Sequence, residues 1–136
     1  MYLAHHLTEL GRLLSGPGAR VLVLRTAEPP CDGDPADVLE AAEEIRADHE
    51  ALLVLLSQQW GEPRTVDLDP HLLAVADGLA VPEPERTLCR RVAELAVWTV
   101  RDRWAGVGTA RRDAETPPQL LAAVGEKGRP VPCAPP

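Results

Sequence analysis

Apolar residues open the chain at helical spacing. Leu3, Leu7, Leu10, Leu13 and Leu14 fall on one stripe, and Gly16-Pro17-Gly18 ends it, which predicts an amphipathic helix over 2–15. The next apolar run, Val21-Leu22-Val23-Leu24, is too short for a helix and is bounded by breakers. It predicts a strand over 20–26 covered on both faces. Residues 27–33 hold Pro, Asp and Gly and form a loop.

Asp34-Pro35 then carries helix-start chemistry: a capping carboxylate, a proline at the first helical position, and acids in the first turn facing the positive end of the dipole. The helix should run over 35–60, ending at Gly61 before Pro63. Its first half is one-sided, with Val38, Ala42 and Ile45 on a stripe that also holds His49. From 51 to 56 it is apolar all round, which marks that half as the centre of the core.

Residues 64–68 alternate weakly and predict a second strand. Asp69-Pro70 starts a short helix over 71–76 that Gly78 stops, and 79–85 is an irregular connection with two prolines. Alternation over 93–111 predicts a hairpin, with Arg101-Asp102-Arg103 as a three-residue turn. Val100 would then pair with Trp104, and Trp98, Trp104, Gly106 and Gly108 would share a face. A two-residue turn would instead put the tryptophans on opposite faces. Thr116 caps a last helix over 117–124 that Gly125 stops, and the proline-rich 126–136 reads as a disordered tail.

The expectation is one α+β domain over 1–125. A small mixed or antiparallel sheet of three to five strands, including the C-terminal hairpin, packs on the long helix and two or three shorter ones. Composition sharpens this. There is no Phe, so the core is aliphatic and Trp60, Trp98 and Trp104 stand out as anchors or contact residues. The absence of Asn, with a single Lys and a single Ile, points to a high-GC gene of bacterial origin. No apolar run is long enough to span a membrane and the start does not read as a signal peptide, which implies a cytoplasmic protein. Cys31, Cys89 and Cys133 are odd in number and widely spaced, arguing against a disulfide framework or a zinc site.

The net charge of −7 is unevenly distributed. Residues 28–50 carry nine acids against Arg46, a net −8. Residues 86–112 carry seven arginines against Glu94 and Asp102, a net +5. The acidic helix and basic hairpin either neutralise one another or face partners of opposite sign.

Candidate chemistry is sparse. Asp67, Asp69 and His71 alternate and would share a face on an extended backbone, a weak metal-ligand set that lacks a second His or Cys cluster. Cys89 has arginines at 86, 90 and 91, but no motif pairs it with a histidine. His49 reads as a half-buried side chain bonded to a neighbouring element, and His5 and His6 as surface residues. Gly106 and Gly108 lie in a hairpin, where a phosphate loop is not indicated. No cofactor is implied, and no residue is assigned a catalytic role.

The sequence therefore points to a non-catalytic protein–protein interaction module, a regulator, adaptor or immunity-type protein. Its contact residues would be Trp98, Trp104, Arg101, Arg103, Arg111 and Arg112, and its partner another protein or a second copy of itself. One alternative is a small metal-binding or hydrolytic enzyme built on Asp67, Asp69 and His71, or on Cys89. Another is a nucleic-acid-binding regulator using the hairpin arginines, which overall acidity disfavours.

Overall fold

The computed structural model describes residues 3–27, 34–110 and 117–128. Its helices are α1 (Leu3–Ser15), α2 (Pro35–Trp60), α3 (Asp69–Ala76) and α4 (Glu85–Cys89). Its strands are β1 (Arg20–Thr26), β2 (Arg64–Asp67), β3 (Glu94–Val100), β4 (Arg103–Ala110) and β5 (Gln119–Val124). The strands form one antiparallel sheet in the order β1-β5-β4-β3-β2. This is the α+β architecture the sequence predicts. Among the described residues no helix is long and apolar enough to cross a membrane.

Two clusters of buried side chains divide the interior. Leu10 and Leu13 of α1 and Ile45, Leu52 and Leu56 of α2 pack on one face of the sheet with Trp98, Ala105, Val107, Leu120, Ala122 and Val124. Leu68, just before α3, and Leu88 and Cys89 of α4 pack on the other face with Leu95, Val97, Trp104, Leu121 and Ala123. Helices thus lie on both faces.

Local chemistry builds α2 as expected. The Asp34 carboxylate accepts from the Ala36 and Asp37 amides, and Asp37 reaches back to the Asp34 amide, a complete capping box with Pro35 in the first turn. Gly61, at φ 88°, ends the helix. The stretch from 51 to 56 is less enclosed than its composition suggests: Leu52 and Leu56 are buried, whereas Val54 is 59% exposed.

Three expectations are corrected. Residues 119–124 form a strand, not a helix. β5 lies between β1 and β4 and is buried on both faces, so its apolar run shows no alternation, and Leu and Ala imitate a helix. The hairpin turn has two residues, because Val100 pairs with Arg103 and Trp98 with Ala105. Trp98 and Trp104 therefore point to opposite faces, each into a core cluster. His6 is fully buried, not a surface residue.

Close backbone approach also falls elsewhere than expected. The indole of Trp104 lies over Gly125, where a Cβ would collide with its ring, while Leu95 fills the space at Gly106 and Val92 that at Gly108. Gly125→Ala should lower stability by about 2–3 kcal/mol through overpacking. Gly11→Ala, in α1 with open space around it, should raise stability by about 0.5–1 kcal/mol. Urea denaturation of both variants measures these effects, and equal changes would contradict the packing described.

Candidate functional site

The hairpin residues expected to make contacts do not share one surface. Trp98 and Trp104 are 3% and 1% exposed and present no contact surface. The Trp98 ring meets Trp60 edge-on at 5.6 Å, and its indole N–H donates to the Gly61 carbonyl at 2.8 Å. Arg101 is exposed at the turn. Arg111 and Arg112 lie outside the described residues, as do Cys31 and Cys133.

Arg103 is 2% exposed, and among the described residues all its partners are carbonyl oxygens. Nε donates to Gly125 at 2.9 Å, Nη1 to Leu14 and Gly16 at 2.9 and 2.7 Å, and Nη2 to Gly18 at 2.6 Å. Four of its five N–H groups thus hold the end of α1, the following turn and the end of β5. The cation also sits at the negative end of the α1 dipole. Arg103 holds the architecture and is not available to a partner. The two-residue turn is the signal that finds it, since that parity turns Arg103 toward the α1–α2 face.

The metal-ligand candidates do not assemble. Asp67 and Asp69 are exposed, and Asp67 Oδ1 accepts from the Asp69 amide at the start of α3, while His71 is 5% exposed. No group of three or more His, Cys, Asp or Glu side chains placed to hold a metal ion occurs among the described residues. Cys89 is fully buried, its thiol donating to the Arg86 carbonyl at 3.3 Å. Arg86 and Arg90 are exposed and Arg91 half-buried.

The acidic helix is neutralised by a residue outside the hairpin. A bulge at Leu24 places Leu24 and Arg25 on the α2 side of β1. Arg25 Nη1 meets Asp48 at 2.8 Å and Nη2 meets Glu44 at 3.2 Å. Buried His6 approaches the same Asp48 carboxylate at 3.6 Å. Arg46 reaches Glu43 and Glu50 along the helix. Among the exposed residues of α2, a stripe runs at i, i+4 and i+3 spacing, Leu39, Glu43, Ala47, Glu50 and Val54, with Arg46 beside its two carboxylates. Leu39 and Val54 are 65% and 59% exposed at its two ends. At 1.5 Å per residue they stand about 22 Å apart. Compared with family models, curated proteins and solved structures, the chain matches none.

Two histidines couple this core to pH. Burial lowers the pKa of His6 against the opposing pull of Asp48. Burial also lowers that of His49, against the opposing effects of its hydrogen bond to the Val107 backbone and of Glu50. Unfolded histidine titrates near 6.5. Below that pH the unfolded chain binds more protons than the folded one, so stability present above 6.5 is lost as pH falls. Urea midpoints at pH 7.5, 6.5 and 5.5 should decline, and His49→Gln should flatten the decline; an unchanged slope would exclude His49 as a contributor. Arg103→Met, which keeps an unbranched apolar stem but no donors, should lose about 3 kcal/mol or more, with Arg103→Lys recovering only part of it. Chemical denaturation of the two variants tests this, and a loss below 1 kcal/mol for Met would contradict the role described.

Proposed function

We propose that the chain is a non-catalytic binding protein that engages a basic surface of a partner protein through the outward face of α2. The observation that carries this reading is the stripe from Leu39 to Val54. Two largely exposed aliphatic side chains bracket two exposed carboxylates, both beside Arg46, on one helix face. Scattered surface aliphatic residues are ordinary, but Leu39 and Val54 stand at the two ends of one helical row, so both can anchor a helix that lies lengthwise along a groove. The supporting partner chemistry is a basic groove with an apolar pocket at each end, attracted by charge and held by the anchors. Trp98, Trp104 and Arg103 serve the interior, so among the described hairpin residues first expected to make contacts only Arg101 at the turn is exposed.

The test compares the chain with a Glu43→Arg/Glu50→Arg variant and a Leu39→Ser/Val54→Ser variant in affinity capture at low and high salt. Both pairs are exposed, and the Arg46 ion pairs that the first variant removes are surface ones of little weight, so melting temperatures should change little. The expected result is a partner retained by the natural chain at low salt and lost with either variant. A retained partner indifferent to both variants and to salt defeats this reading, as does failure to retain any partner. Sedimentation of the purified chain separates self-association from binding to another protein.

A further inference from the structure

The two-residue turn of the β3–β4 hairpin has a backbone that its sequence does not favour. Arg101 has φ 59°, and Asp102 is not at positive φ. That is the pattern of a type II′ turn, whose first position favours glycine because a Cβ there is strained. An arginine at a glycine position points to a role for its side chain.

That side chain lines a cleft of roughly 300 Å³ between the end of α1 and the turn, with Leu14, Ser15, Val100, Asp102, Arg103 and Lys127. The volume is at the small end of the range for ligand sites. Arg103 is occupied by the carbonyls that would otherwise repel an anion. Arg101 and Lys127, the only lysine in the chain, make no hydrogen bond or ion pair among the described residues. The turn from β5 is drawn in beside them by the bond from the Gly128 amide to the Asp102 carbonyl, at 2.6 Å. The cleft therefore sets two unpaired cations against one carboxylate in a protein of net charge −7. Leu14 and Val100 add an apolar wall.

We infer that this cleft binds a small organic oxyanion, a phosphate or carboxylate on a compact apolar body, with Arg101 and Lys127 as its charge partners. The inference stands apart from the α2 surface and uses none of its residues.

The test is an NMR titration of the full chain at low ionic strength, following the amides of Arg101, Asp102 and Lys127. The probes are phenyl phosphate, benzoate and uncharged benzyl alcohol. Saturable shifts with either anion and none with the alcohol are expected, and the stronger anion identifies the headgroup. Arg101→Gly puts glycine where the turn favours it, so this variant should fold with a melting temperature a few degrees higher, while binding weakens about tenfold or more. Lys127→Gln should weaken binding without altering the melting temperature. The inference is overturned if neither anion binds, if benzyl alcohol binds equally well, or if Arg101→Gly binds like the natural chain.

Discussion

The guanidinium of Arg103 ties the end of α1, the turn after it and the end of β5 to one side chain. A buried cation is costly unless its donors are satisfied, and here carbonyl dipoles do the work usually done by a carboxylate. Its partners Leu14 and Gly16 lie 89 and 87 residues away in sequence. Gly18 and Gly125, bonded to the same side chain, flank Arg20 and Val124, the first pair in the β1–β5 ladder. Arg103 therefore pins the end of α1 beside the first pair of that ladder. Leu10 and Leu13 of the helix layer pack on Ala122 and Val124 of the same ladder.

Charge follows a similar logic of position over composition. The acidic and basic segments of the sequence look like mutual partners. In the fold the acids of α2 meet Arg25, which the Leu24 bulge turns toward them, while the most buried hairpin arginine neutralises backbone instead. The outward acids of α2 and the cations of the hairpin turn are thus left as separate surfaces.

What the sequence made legible was chemistry acting within a few residues. The Asp34-Pro35 start, the Gly61 stop and the span of α2 all follow from local capping, and the bounds of β1 follow from breakers around a short apolar run. What was not legible depended on distant neighbours. β5 is a strand because β1 and β4 flank it, information absent from Leu120-Leu121-Ala122-Ala123-Val124 itself. One residue of turn length decided whether Trp98 and Trp104 shared a face and whether Arg103 pointed inward. His6 looked peripheral because only the packing of α1 against α2 and β1 encloses it. At the candidate surfaces, the exposure of Leu39 and Val54 and the lone lysine beside the hairpin turn likewise emerge only once the helix and the sheet are assembled.

The pairing of β1 with β5 has a consequence during synthesis. Arg20 meets a partner, Val124, that lies 104 residues further along the chain. At about 5–20 residues per second, β1 leaves the ribosome roughly 5–20 s before its partner exists. During that interval Val21-Leu22-Val23-Leu24 is an apolar strand without a neighbour, the kind of segment that nucleates aggregation. Arg20 and Arg25 stand on either side of it, so the residues that open the ladder and hold α2 in the finished fold also act as gatekeepers for the nascent chain.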